Sequence, residues 1–168
     1  MPDNADVEDT KENQAFETVM LSHWTTVYQS PYSCQGGVVA QPAFGFLLQR
    51  LREQRGLSLR ELAQLAGIDH AYIYRLETGD KESPSEEVVT KLVRALKVGK
   101  READMLRYLA EHPLVDPGLV AHALCDATVT IEEFSTAAGV AYRGTGRPDY
   151  HTLVERVRRI LKEEDGNR

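Results

Sequence analysis

One short run of the sequence is rich in side chains suited to contact a partner molecule. Five residues between Asp69 and Gly79 lie off the apolar positions that would hold this run in place: His70, Ala71, Tyr72, Tyr74 and Arg75. An arginine can form two parallel hydrogen bonds with a guanine, and an alanine methyl can contact the methyl group of a thymine. Such a set on one short helix is unusual unless the helix touches something.

Two short helices around a tight turn must position these side chains. Ser58 and Glu61 form an S-x-x-E capping box at the start of the first helix, and Gly67 can adopt the left-handed conformation that ends it. Asp69 can cap the second helix, which closes at Gly79. This pattern predicts a helix-turn-helix, in which the second helix presents its N-terminal half to the major groove of DNA.

Amphipathic helices are predicted on both sides of this pair. The first has an apolar stripe at i, i+3, i+4 and i+7, formed by Phe44, Leu47, Leu48 and Leu51. After the pair, a fourth helix is expected to be capped by Ser83 with Pro84 at its first position, and to carry Val89, Leu92, Val93 and Leu96 on one face. Further helices are expected at Lys100–Glu111, Leu119–Ala127, Thr130–Val140 and Asp149–Glu164. No strand pattern follows Phe44, so the predicted fold class is all-α.

The stretch 57–79 resembles the phage-repressor (Xre/Cro) helix-turn-helix family of transcriptional regulators. Ten residues match the family pattern position by position: Leu57, Glu61, Leu62, Ala63, Gly67, Ile68, Ile73, Leu76, Glu77 and Gly79. The resemblance extends over roughly 44–100, about a third of the chain. It implies a five-helix, phage-repressor-like DNA-binding domain over 44–112, followed by a helical C-terminal segment.

The resemblance also implies roles for individual residues. It pairs Arg52 of the first helix with Glu77 at the end of the third. The base-edge contacts it implies come from His70, Ala71 and Arg75, with Tyr72 and Tyr74 near the groove wall.

It also implies phosphate contacts. A phosphate is expected at the N-terminus of the helix that Ser58 caps. The family often has a polar residue where this chain has Leu59, so Ser58 or Arg60 is expected to substitute, and Lys81 is a further candidate.

Charge is unevenly distributed along the 168 residues, whose formal net charge is −6. Residues 1–43 have one lysine against six acids and are expected to be an acidic, partly disordered extension. Residues 44–76 have five arginines against three acids. Since phosphate affinity depends on local potential, the acidic total does not exclude DNA, but it predicts modest non-specific binding.

Other classes of protein find little support in the sequence. No run approaches the roughly 18 apolar residues of a membrane span, and the start lacks a signal-peptide pattern, so a cytoplasmic location is expected. His122 and Cys125 stand at i, i+3 without a third ligand nearby, and Cys34 has no His–Asp partner pattern. We therefore expect no metal site, no cofactor and no enzymatic activity.

The segment 113–168 is expected to mediate oligomerisation, and the alternative is that its helices pack only on their own chain. Four apolar residues of its last helix are candidate contacts between two copies: Leu153, Val157, Ile160 and Leu161. The leading hypothesis is a homodimeric repressor that binds a pseudo-palindromic operator. The alternative is a protein-interaction module, such as an antitoxin or an antirepressor-binding partner, in which the tail grips a regulatory protein. The tail also resembles, more loosely, that of repressors controlled by a zinc-dependent peptidase.

Overall fold

A computed structural model describes residues 41–81, 83–140 and 149–166 of the chain, with side chains up to Glu164. In these ranges all regular structure is helical, which confirms the predicted all-α class. The helices are α1 Ala43–Gln54, α2 Leu59–Ala66, α3 His70–Thr78, α4 Glu86–Leu96, α5 Lys100–Glu111, α6 Pro117–Cys125, α7 Ile131–Gly139 and α8 Tyr150–Gly166. None of these helices has the length and apolar content needed to cross a bilayer. The expected acidic extension, apart from 41–43, lies outside the described residues.

Helix α1 packs closely against the end of α3. Its predicted apolar stripe, Phe44, Leu47, Leu48 and Leu51, is buried. The two helices approach at Gly45, where a Cβ atom would lie 2.5 Å from the carbonyl oxygens of both Leu76 and Glu77. This distance leaves no room for any side chain, so Gly45 fixes how near α1 comes to α3.

The turns around α2 and α3 have the predicted chemistry. The Ser58 hydroxyl accepts a hydrogen bond from the Glu61 amide at 3.2 Å, and the Glu61 carboxylate accepts one from the Ser58 amide at 2.8 Å. Gly67 and Gly79 end the two helices at φ values of +63° and +89°. Asp69 caps α3 by accepting two hydrogen bonds, at 2.9 and 3.1 Å, from amides of its first turn. The capping box, both left-handed glycines and the Asp69 cap are thus confirmed.

The predicted cap of the fourth helix was wrong. The residue that caps α4 is Ser85, whose hydroxyl accepts a hydrogen bond from the Val88 amide, rather than Ser83. Pro84 precedes the cap and is buried, and Ser83 adopts a φ of +51°. Ser85 has extended φ and ψ values of −65° and 155°, so the helix begins only at Glu86.

The helices after residue 113 share one hydrophobic core with the helices before it. Helix α6 packs on α1 and buries Leu119, Val120 and Ala123. Arg101 of α5 joins that helix to the end of α6, since it donates to the carbonyl oxygens of Val129 at 2.8 Å and Asp126 at 3.0 Å. The division expected at residue 113 is therefore not a boundary in the packing.

Helix α8 is anchored on the same core by apolar and ionic contacts. Val154 and Val157 are 1% and 2% exposed, and Arg158 donates to both carboxylate oxygens of Glu133 in α7, at 2.7 and 3.1 Å. The prediction that Val157 contacts a second copy was therefore wrong, because its own chain already covers it. Ile160, by contrast, is 46% exposed.

Candidate nucleic-acid interface

The framework of the α2–α3 pair is apolar and closed to solvent. Leu62 of α2 and Ile73 of α3 are fully buried, and Leu76 is 1% exposed. Small residues, Ala63 and Ala66, line the buried side of α2. The pair is thus a firmly packed support, and most of the other side chains of α3 are exposed.

Arg52 and Glu77, which the resemblance pairs, form a two-armed ion pair across α1 and α3. Arg52 donates from Nε and Nη2 to the two Glu77 carboxylate oxygens at 2.7 and 2.8 Å. Its Nη1 donates to the Leu57 carbonyl oxygen at 2.9 Å. The hydrogen bonds to Glu77 hold the pKa of Arg52 above its ordinary value, although burial acts in the opposite direction. One guanidinium therefore joins α1, the loop before α2 and the end of α3.

Gln41 adds a further tie at this end of α3. Its side-chain amide donates to the backbone carbonyl oxygen of Glu77 and to the side chain of Gln49 in α1. No feature of the sequence singled out Gln41, since it lies before the first periodic residue.

The outer face of α3 carries the predicted base-contacting residues. His70, Ala71, Tyr74 and Arg75 are exposed, Tyr74 at 53%, whereas Tyr72 is half-buried and packs against the core. The Arg75 Nε atom donates to the Ala71 carbonyl oxygen at 3.3 Å, so this side chain extends back toward the start of the helix. The structure therefore brings four of the five candidates to one exposed surface and places Tyr72 at its edge.

The start of α2 differs from the simplest expectation for a phosphate site. Leu59, where the family often has a polar residue, is half-buried and packs on the core. The Ser58 amide already donates a hydrogen bond to the Glu61 carboxylate, and hydrogen bonds from Ser58 hold the pKa of the Glu61 carboxyl below its ordinary value. Glu61 therefore remains charged at this helix end, and Arg60, which is exposed, is the cation beside it.

Lys81 lies just beyond α3 with an exposed side chain. Its backbone amide donates to the Arg75 carbonyl oxygen at 3.0 Å, as does that of Gly79 at 3.1 Å. These bonds complete the end of α3 and hold the loop against it. The neighbouring Asp80 accepts a hydrogen bond from the Thr78 hydroxyl at 3.0 Å.

A shallow depression lies in the crook between α2 and α3. Arg60, Gln64, Asp69 and His70 contribute polar groups to its lining, and Ala63 and Ile68 contribute apolar ones. The sequence pattern did not single out Gln64 as part of this surface, although its i+4 spacing from Arg60 places both residues on one side of α2. The depression thus lies between Arg60, a predicted phosphate-contacting residue, and His70, a predicted base-contacting residue.

Known proteins match this same part of the chain. A family model described as a helix-turn-helix domain matches residues 43–106. Residues 43–106 are a helix-turn-helix domain. Over 56 residues the chain is 39% identical to the HTH-type transcriptional repressor RghR of Bacillus subtilis (strain 168). The predicted helix-turn-helix domain is thereby confirmed, and over this domain the chain is similar to a protein named as a transcriptional repressor.

The match to RghR covers 33% of this chain and 42% of that protein. Two solved structures are also similar to the helix-turn-helix domain. The restriction-modification controller protein C.AhdI from Aeromonas hydrophila is 38% identical, covers 36% of this chain and 91% of its own, and gives a TM-score of 0.34. The clp gene regulator ClgR from C. glutamicum is 29% identical, covers 43% and 88%, and gives a TM-score of 0.35.

Proposed function

We propose that this protein is a homodimeric transcriptional repressor that acts in the cytoplasm and binds a pseudo-palindromic operator. The observation that carries the proposal is the exposed outer face of α3, which holds His70, Tyr74 and Arg75 on a fully buried frame. The similarity to RghR, a transcriptional repressor by name, favours repression.

Base readout is assigned to the first two turns of α3. Arg75 supplies the bidentate contact to guanine, Ala71 the contact to a thymine methyl, and His70 a single hydrogen bond. Because Arg75 lies back toward Ala71, these groups converge on adjacent base pairs. Tyr74 is exposed enough to reach the groove wall, and half-buried Tyr72 supports the edge of the surface.

Contacts to the phosphates of the DNA backbone are assigned to Arg60 and Lys81, and the Ser58 hydroxyl lies beside Arg60. Arg60 and Lys81 are exposed cations at the start of α2 and beyond the end of α3, so they flank the reading surface. Contacts to phosphates on both sides of a recognition helix fix its register in the groove.

Dimerisation is assigned to the edge of α8 that its own chain leaves open. Ile160 is 46% exposed, and Leu153 and Leu161 are half-buried on the same helix. Two copies joined through a two-fold axis present their α3 helices to half-sites about 34 Å apart. In this proposal residues 44–112 bind DNA, and 113–168 complete their core and carry the self-association surface.

Selection of bound duplexes from a random pool, followed by quantitative binding, tests the readout. We expect Arg75→Ala to cost about 1–3 kcal/mol on the selected site and to relax the preference at one base. The matched control is Arg107→Ala, an exposed arginine of α5 that contacts Asp104. An unchanged selection profile for Arg75→Ala, or an absence of duplex binding by the wild-type protein, contradicts the proposal.

The salt dependence of binding tests the phosphate contacts. Two cations in each subunit give four neutralised phosphates for a dimer, so log K against log salt should have a slope of about −3.6, from about −0.9 for each contact. Lys81→Gln should make the slope shallower by about 2 in the dimer, and Lys91→Gln, an exposed lysine paired with Glu87 in α4, should leave it unchanged. Equal slopes for wild type and Lys81→Gln would rule this contact out.

Light scattering after size exclusion tests the dimer. Ile160→Gln should shift the protein to monomers, whereas Glu163→Gln, at an exposed polar position of the same helix, should not. A dimer that persists in Ile160→Gln places the interface elsewhere.

A further inference from the structure

A histidine lies at the contact between α6 and α8. His122 of α6 is half-buried, and its Nε2 atom is buried without a hydrogen-bond partner among the described residues. The ring of His151, in the first turn of α8, stands edge-on to it with the centroids 6.2 Å apart and the planes at 89°. Two imidazoles therefore meet where the last helix docks on the core.

The surroundings of His122 offer little to balance a positive charge. Asp126, at the end of the same helix, is already bonded by the amide and hydroxyl of Thr128 at 2.9 and 2.6 Å. From α8, besides His151, the charges that act on the ring are those of Asp149, which caps that helix by accepting from the Thr152 amide, and Arg158.

The other helices that contact α6 add no free counter-charge. Helix α5 contributes a cation, Arg101, which donates to the carbonyl oxygens of Ala123 and Asp126 at the end of α6. Helix α7 contributes Glu133, but this carboxylate is bound by Arg158. Helix α1 packs on α6 with its buried stripe, which is apolar. His151 and Arg158 therefore oppose protonation of His122, and the two carboxylates that favour it, Asp126 and Asp149, each accept hydrogen bonds from a threonine instead of from the ring.

We propose that the docking of α8 on α6 is sensitive to pH, with His122 as the titrating group. Protonation places a charge on a ring whose Nε2 is shut off from water and faces a second imidazole. Separation of α8 exposes that nitrogen to solvent and moves His151 away. Neutral His122 thus holds the helix docked, and acidification favours its release.

The direction of the pKa shift agrees with this geometry. Burial holds the pKa of His122 below its ordinary value, Asp126 opposes this effect, and His151 adds to it. A histidine whose pKa is lower in the docked state contributes its full stabilisation above about pH 6.5 and loses it as the pH falls below that value. Between pH 7.5 and 5.5 the open population therefore rises by at most about tenfold, the limit set by an ordinary histidine in the open state.

Backbone amide exchange of the full-length protein, followed by NMR, tests the proposal. Protection of the α8 amides, corrected for intrinsic exchange rates, should fall severalfold and by no more than about tenfold from pH 7.5 to 5.5. The α3 amides should keep theirs. His122→Leu should abolish the fall in α8, and His112→Gln should retain it, since His112 is exposed and stacks on Tyr108.

Constant protection of α8 in the wild-type protein, or a fall that survives in His122→Leu, overturns the proposal. If His122→Leu does not fold, NMR titration of the His122 ring in the wild-type protein tests the proposal instead. The His122 ring signals should titrate with a midpoint below about 6.5, together with the exchange of α8. A midpoint at or above that value refutes the mechanism.

Discussion

Substitution of Glu77 by Gln removes the anionic half of the ion pair that holds α3 on α1. The Glu77 side chain is 7% exposed and that of Arg52 is 12% exposed, and two hydrogen bonds shorter than 3 Å join them. The glutamine keeps the shape but leaves the Arg52 guanidinium with Glu53 as its nearby counter-charge, 4.0 Å away on a side chain that is 44% exposed. The guanidinium's bond to the Leu57 carbonyl oxygen remains, so the group is not wholly without partners.

The expected cost follows from the burial of the pair. Removal of one partner from a buried ion pair typically costs about 3–5 kcal/mol. Because the Leu57 contact persists and Arg52 retains some solvent, we expect Glu77→Gln to lower the free energy of unfolding by about 3 kcal/mol. The double variant Arg52→Met/Glu77→Leu removes both charges, so it should be less destabilised than Glu77→Gln, with a recovery of at least about 1 kcal/mol.

Urea unfolding followed by far-ultraviolet circular dichroism measures both values. Glu87→Gln is the matched control, since Glu87 pairs with Lys91 at 2.7 Å but has a side chain that is 76% exposed, and such pairs contribute about 0–1 kcal/mol. A cost for Glu77→Gln no larger than that of Glu87→Gln would refute the burial argument. A double variant less stable than Glu77→Gln would show that the ion pair makes a net contribution to the free energy of unfolding, rather than only positioning α3 on α1.

Three further perturbations probe packing, charge and the C-terminal helices. Gly45→Ala should destabilise the protein by about 1–3 kcal/mol in the same unfolding assay, because its Cβ would meet two carbonyl oxygens. The control is Gly139→Ala, where a Cβ meets nothing within 4 Å, and it should be neutral or slightly stabilising. Equal costs for the two variants would contradict the close approach of α1 to α3. Asp69→Asn should preserve stability, since asparagine also caps helices, yet raise duplex affinity at low salt by removing an anion from the edge of the reading surface; unchanged affinity at every salt concentration would place Asp69 away from phosphate. A chain that ends at Glu111 should lose cooperative unfolding, because α6 covers α1; a folded truncated domain of full stability would show that the later helices are dispensable.

The sequence predicts the helix-turn-helix domain well because its signals are local. The Ser58 capping box, the Asp69 cap and the left-handed glycines are each determined within a few residues, and all appear as predicted. The error at Ser83 has a related cause. Two serines flank Pro84, and the order of extended and helical residues there depends on where the buried proline packs.

Long-range packing is what the sequence could not supply. The apolar stripe of the last helix predicts that these residues are buried, but it does not identify the surface that buries them. In the structure Val157 packs inside its own chain. Likewise, Gly45 lies in an ordinary helical pattern, and its close approach to α3 appears only once the two helices are brought together. Gln41 and Arg101 bond to backbone carbonyls 36 and 22–28 residues away, with no periodicity to reveal them.

The formal net charge of residues 44–76 overstates the positive charge that is exposed to attract phosphate. Of the five arginines in 44–76, Arg52 is committed to Glu77 inside the fold, and Arg50 stacks over Phe46 with Glu53 nearby. The carboxylates that cap α2 and α3, by contrast, sit on the exposed side. Non-specific attraction to phosphate is therefore weaker than a net charge of +2 suggests, since the cations that remain are few and lie beside acids. In the proposed function, discrimination between operator and random DNA then comes mainly from base contacts by α3, whose end is held by the buried Arg52–Glu77 pair.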